Sequence, residues 1–246
     1  MVGGVGRAPL KRKLGVDDRD RSSIGLLNEQ PLHAALKSWY GKEGARFEVQ
    51  VDGFVVDIVQ GDLLVEVQTG SFSALKEKVR AIVRDHRLRV VYPIAREKWL
   101  LKLPKKQGGK IRRRKSPRRG CVEEVFKELV SFPELMCNAN FSLEVLMIQE
   151  EEVRRYDPAR RWRNRGWVTV ERRLLDVVGC HLFEQPEDMA AILPPGLPQR
   201  FTTADLAQSM HGPRWLAQKA AYCLRRMGAI VEVGKQGRSK LYARGG

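Results

Sequence analysis

A chain of 246 residues with a formal net charge of +16 and a pI near 10.0 can hold one large domain or two small ones, and its charge favours nucleic acid as partner, with anionic membrane second. No apolar run approaches the roughly 18 residues that span a bilayer, and the N-terminus lacks a secretory apolar core. Cys121, Cys137, Cys180 and Cys223 have no C-x-x-C spacing, so the expectation is a cytoplasmic protein with reduced thiols, without structural zinc or disulfides and without a membrane partner.

Residues 1–23 are rich in Gly, Arg, Lys and Asp without an apolar period and are predicted to be a disordered basic arm. Asn28 is a good N-cap and Pro31 fits a first helical turn. Leu32, Leu36 and Trp39 then form a buried stripe, and Gly41 stops the helix. Glu29 lies on that stripe. It is either a metal-site carboxylate or an acid favoured by the helix dipole. His33 reads as a surface or packing residue.

Phe47–Gln68 reads as three strands joined at Asp52-Gly53 and Gly61-Asp62, two-residue hairpin signals. Pairing Gln60 with Leu63 sets Asp57 opposite Glu66, and pairing Val51 with Phe54 sets Glu48 opposite Asp57. Alternation predicts one apolar face of Phe47, Val49, Val51, Phe54, Val56, Ile58, Val65 and Val67. The other face carries Glu48, Gln50, Asp57, Glu66 and Gln68, with Val55, Val59 and Leu64 between them. A row of three carboxylates is self-repelling. It calls for a basic side chain or a hard cation such as Mg²⁺ or Mn²⁺.

Asp57, a turn, and then Glu66-Val67-Gln68, preceded by a helix with Glu29, resembles the core of the PD-(D/E)XK nuclease superfamily. The likeness covers residues 26–94, about a third of the chain. It implies an αβββαβ core on a restriction-endonuclease-like mixed sheet, with metal held by Asp57, Glu66 and Glu29 and with Glu48 able to join them. Val56 replaces the proline of the family name, and Gln68 replaces the catalytic lysine. A helix from Ser73 to about His86 follows, with Leu75, Val79, Ile82 and Val83 buried. Lys76 on its first turn is the candidate substitute for the missing lysine, with Lys78 behind it. Arg89–Ile94 is a strand ending near Pro93, parallel to Leu63–Val67 across a right-handed crossover.

Trp99–Leu103 is read as a further strand, and the run from Pro104 to Arg119 as a loop or hairpin gripping phosphate through Lys105, Lys106, Lys110, Arg112, Arg113, Arg114, Lys115, Arg118 and Arg119. Cys121–Val130 is predicted helical and Phe141–Ile148 a strand, with Glu150, Glu151 and Glu152 as its solvated acidic end. Arg161, Arg163 and Arg165 interleave with Trp162 and Trp167, a composition suited to backbone contact and stacking, although packed tryptophans with basic flanks fit as well.

A boundary is placed near Gln185-Pro186, giving a main domain over residues 24–184 and a second over residues 185–246. Helices at Glu187–Leu193, Phe201–Met210 and Pro213–Met227 precede a hairpin with a basic tip. This order resembles a winged helix-turn-helix domain. The resemblance implies DNA contact by Arg214, Gln218 and Arg225 from the second helix of the pair and by Lys235, Arg238 and Lys240 from the wing. The expected function is a Mg²⁺- or Mn²⁺-dependent DNA endonuclease. Asp57, Glu66, Gln68 and Lys76 would carry the chemistry on duplex or branched DNA. The alternatives are a DNA-binding regulator that has lost catalysis and an RNA-binding or RNA-processing protein. A homodimer is compatible with the sequence.

Overall fold

The computed structural model describes residues 31–106, 108–160 and 164–245. The predicted basic arm, Asn28, Glu29, Arg161 and Arg163 lie outside them. Helix α1 (Pro31–Tyr40) is followed by β1 (Arg46–Val51), β2 (Phe54–Gln60) and β3 (Leu63–Val67). Asp52 and Gly53 both have positive φ (49° and 80°), as a type I′ turn requires, and Gly61 alone (62°) opens the second turn. After α2 (Lys76–Ile82), β4 (Arg87–Lys102) returns parallel to β3. β5 (Arg112–Lys115), α3 (Phe126–Leu129), β6 (Phe141–Tyr156) and β7 (Trp167–Phe183) complete an α/β unit. Its seven-stranded mixed sheet has the order β1-β2-β3-β4-β6-β7, with β5 paired to the outer end of β4.

The two sheet faces bury different clusters. On one, Leu32 and Leu36 of α1 pack on Ile58, Val65, Val67, Val91, Leu146 and Ile148. Trp39, expected in that stripe, is exposed; Lys37 is buried instead. On the other, α2, α3 and the C-terminal helices share one core with Val56, Val59, Leu64 and Val90. The expected single apolar face of the first three strands is therefore corrected. Val56 and Ile58, two residues apart, enter opposite cores. The pairing of β1 with β2 keeps one register throughout, but Glu48, opposite Asp57 in that register, has φ 52°. A left-handed residue inside a strand interrupts the period-two alternation, so the faces exchange at the level of Glu48 and Asp57.

β4 does not stop at Pro93. Val91 O accepts Gln68 N–H toward β3 at 2.9 Å, so the Pro93 nitrogen, two residues on, points past the end of β3, where no ladder bond is lost. Glu150, Glu151 and Glu152 are buried, not solvated. Lys98 and Arg172 hold Glu150 at 2.7 and 2.6 Å. Arg113 holds Glu151 at 2.7 Å, and Lys98 and Arg154 hold Glu152 at 3.1 and 2.8 Å. Buried carboxylates persist where cations on neighbouring strands meet them. The helix expected over Cys121–Val130 is a 3-10 turn (Val122–Val125) running into the four-residue α3.

Beyond β7, α4 (Pro186–Ala190), β8 (Arg200–Phe201), α5 (Thr203–Ser209) and α6 (Arg214–Arg226) lead into the hairpin of β9 (Ile230–Gln236) and β10 (Ser239–Arg244). A three-stranded sheet of order β8-β10-β9 closes this part. Thr202 caps α5 in a reciprocal box with Asp205. Leu216, Ala217, Ala220 and Leu224 of α6 join the same core as α2 and α3, and Lys219 Nζ donates to Lys127 O at 3.1 Å. No helix among the described residues is long and apolar enough to cross a membrane.

Candidate functional site

The β2–β3 hairpin pairs Gln60 with Leu63, Val59 with Leu64 and Ile58 with Val65, as the turn arithmetic predicts. The next pair would be Asp57 and Glu66. Here the ladder gives way: the backbone N–H of Val67 donates to Asp57 Oδ2 at 2.8 Å. The strands part at that point, and the two acids beside it, Asp57 and Glu66, are both largely buried and are met from opposite faces of the sheet.

Each carboxylate is held from a different helix layer. On the α1 side, His33 Nε2 lies 3.2 Å and Lys37 Nζ 3.9 Å from Asp57. Lys37 also donates to Glu48 Oε1 at 2.8 Å. On the α2 side, Lys78 Nζ lies 2.5 Å from Glu66 Oε2 and donates to Val55 O at 2.6 Å. Lys78, and not Lys76, is thus the lysine brought to Glu66. His33 and Lys37 stand four residues apart on one face of α1, which is the spacing that could have marked them as a pair.

The two acids are electrostatically unlike. Burial alone would raise Asp57, but His33, the Val67 N–H and Lys37 outweigh it and hold the carboxyl below its ordinary value of 3.8. Glu66 is raised above 4.5, first by burial and then by the charge of Asp57, and Lys78 opposes this without cancelling it. Such divergence between neighbouring acids is common at functional sites.

Gln68 is turned into its own loop: Nε2 donates to Ser71 O at 2.8 Å, and Oε1 accepts Gly70 N–H at 3.4 Å. Arg172, besides holding Glu150, donates to Thr69 O at 3.2 Å, tying this loop to β7. Among the described residues no three His, Cys, Asp or Glu side chains come together in a metal-holding group. Mg²⁺ takes one or two protein carboxylates and fills its remaining positions with water and phosphate oxygens. Glu48 sits beside Asp57 in register, with its side chain half exposed and drawn to Lys37.

The expected DNA-contacting residues fall into two separated groups. On β5, Arg113 and Lys115 turn to Glu151 and Glu97, and Arg118 and Arg119 pair with Glu124 and Glu97. Lys105, Lys106, Lys110, Arg112, Arg114 and Arg165 are exposed. In the C-terminal part Arg214, Gln218 and Arg225 are exposed along α6 with Trp215 and Tyr222 between them. Lys235 and Arg238 are exposed on the β9–β10 hairpin, and Lys240 pairs with Glu232 at 2.8 Å.

Residues 30–184 match a family described as a domain of unknown function, DUF8091. An uncharacterised protein of Treponema pallidum (strain Nichols) is 32% identical over 221 residues, covering 89% of this chain and 87% of that protein. No solved structure matches the chain.

Proposed function

Because this chain belongs to the DUF8091 family, whose description assigns no activity, we infer its function from the site: a metal-dependent DNA endonuclease of PD-(D/E)XK type, targeted by a winged-helix domain. One observation carries this reading. Asp57 and Glu66 sit where two antiparallel strands part, one held low and the other raised first by burial and then by its neighbour's charge. The αβββαβ order of α1 to β4 supports it, as do the exposed basic face of α6 and the β8-β10-β9 sheet behind it.

In this reading Asp57 and Glu66 would hold Mg²⁺ or Mn²⁺, which when bound supplies Lewis acidity and a water acidic enough to attack a phosphodiester. Val67 N–H and His33 fix the orientation of the Asp57 carboxylate. Lys78 takes the place of the lysine that Gln68 replaces, and its ammonium is positioned to neutralise charge developing on a phosphate beside Glu66. Gln68 shapes the loop over residues 69–71, which Arg172 anchors. Arg214, Gln218 and Arg225 would meet the major groove, and Lys235, Arg238 and Lys240 the backbone.

A second reading, a DNA-binding regulator without catalysis, is favoured by the inward turn of Gln68 and by the close Lys78–Glu66 pair, which already supplies Glu66 with a cation. Cleavage assays with Asp57 and Glu66 variants separate the two. A nuclease loses cleavage and keeps DNA affinity, whereas a regulator shows metal-independent, sequence-selective binding in every form.

A further inference from the structure

The outer end of the sheet carries a second row of like charges, this one positive. The register sets Lys102 of β4 opposite Arg112 of β5 on one side and Arg154 of β6 on the other. Like charges placed directly opposite one another destabilise a sheet. Only Arg154 has a carboxylate, Glu152 at 2.8 Å. Among the described residues Lys102 and Arg112 have none. The alternation of β5 explains the contrast: Arg113 and Lys115 meet Glu151 and Glu97, while Arg112 and Arg114 point the other way.

Beside this row lies an open cleft of about 480 Å³, lined by Lys102, Lys105, Arg112 and Trp167. Lys102 Nζ rests 4.3 Å from the Trp167 ring centre, and Lys105 Nζ rests 4.1 Å from that of Tyr156. Ammonium groups parked on aromatic faces are held more weakly than in a desolvated ion pair and are available to an anion. The Lys102 ammonium is held below its ordinary value, first by burial and then by Arg114, Arg154, Lys105 and Arg112, so a bound anion relieves it.

We propose that this cleft is a phosphate site that grips the backbone of bound DNA through Lys102, Arg112 and Lys105. The inference rests on the reading of the chain as a DNA-binding protein. It narrows the long basic run to Lys105 and Arg112, two of its members left without carboxylates, and it adds Lys102. Val90 is the β4 partner of Glu66, and the twelve residues from there to Lys102 span at most about 40 Å of strand. A duplex of little more than one helical turn is therefore long enough to touch both places.

The test uses the full chain in EDTA, so that cleavage plays no part, with a labelled 20-base-pair duplex followed by anisotropy over a salt series. Lys102→Gln/Arg112→Gln is expected to weaken binding about 10-fold and to lower the salt slope by about 2. Lys42→Gln/Arg46→Gln removes the same charge from exposed positions at the opposite end, and it should change affinity less than about 2-fold. Equal losses in both double variants, or none in the first, overturn the cleft. Loss of like-charge repulsion should leave the first variant at least as stable as wild type in thermal unfolding. A second measurement is independent of DNA: inorganic pyrophosphate should alter tryptophan fluorescence in wild type and not in Trp167→Phe. Absence of that change overturns the site. If wild type fails to bind the duplex while the pyrophosphate signal stands, the DNA reading fails and the anion site survives.

Discussion

Asp57 takes the backbone N–H of Val67 out of the β2–β3 ladder, through Oδ2 at 2.8 Å. This side-chain bond orients one carboxylate while opening the sheet beside the other. Glu66, one residue before Val67, is left buried next to Asp57's charge with Lys78 as its cation. The candidate site is therefore a local fault in a hairpin, with His33 and Lys37 of α1 meeting Asp57 on one face and Lys78 of α2 meeting Glu66 on the other.

Lys78→Met removes the cation from Glu66. In the nuclease reading it should cut the cleavage rate about 100-fold, the scale of losing one donor to developing charge. Lys76→Met, a change on the same helix away from Glu66, should stay within about 2-fold. Single-turnover cleavage with identical metal and DNA compares the two, and equal effects would remove the role given to Lys78.

The acids predict a pH dependence with a definite sign. The pKa of Glu66 is raised in the fold, so its contribution to stability is present below 4.5 and lost as pH rises through the raised value. That of Asp57 is lowered, so its contribution is present above 3.8 and lost as pH falls through the lowered value. Binding of Mn²⁺ needs both ionised and should weaken as pH falls through Glu66's raised value, earlier than for an ordinary glutamate. Glu66→Gln should abolish the binding and remove the metal-free stability loss above pH 4.5. Calorimetric Mn²⁺ titration and denaturant unfolding across pH 4 to 8 check both statements.

Glu150 is fully buried between Lys98 and Arg172. Glu150→Ala leaves two cations without their shared partner and should cost about 3–5 kcal/mol in urea unfolding. Glu152 gives a second signature. Burial would raise it, but Arg154, Thr169 and Lys98 bring it from 4.5 down to about 2. Its stabilisation is present above pH 4.5 and lost as pH falls toward 2. Glu152→Gln should flatten that part of the acid-unfolding curve.

Arg214 and Arg225 are exposed on α6. If that helix enters the major groove, each alanine variant should weaken DNA binding, and an arginine that pairs with phosphate should lower the salt slope by about 1 when it is removed. Gln218→Ala should instead relax base preference, since side-chain amides read base edges. Competition assays with varied duplexes show which residue does which.

The chain-local signals were legible. Asp52-Gly53 and Gly61-Asp62 set two turns and with them the register that brings Asp57 toward Glu66. Pro213 marked the start of α6. What escaped depended on partners far along the chain. Alternation through β2 fails because Glu48 on β1 adopts a left-handed conformation, which period-two reading does not register. Glu150, Glu151 and Glu152 look like a solvated end until Lys98, Arg113 and Arg172 arrive from three other strands. Lys37 lies outside the expected stripe of Leu32, Leu36 and Trp39 and is buried where the kink at Glu48 and Asp57 turns two acids toward it.

The most direct test of the central claim is cleavage of labelled single-stranded, duplex, flap and junction DNAs with Mg²⁺ or Mn²⁺, comparing wild type with Asp57→Ala and Glu66→Ala purified identically. The nuclease reading predicts cleavage by wild type alone, with all three binding DNA about equally. Equal cleavage by all three, or none by any while tight binding is retained, would contradict it.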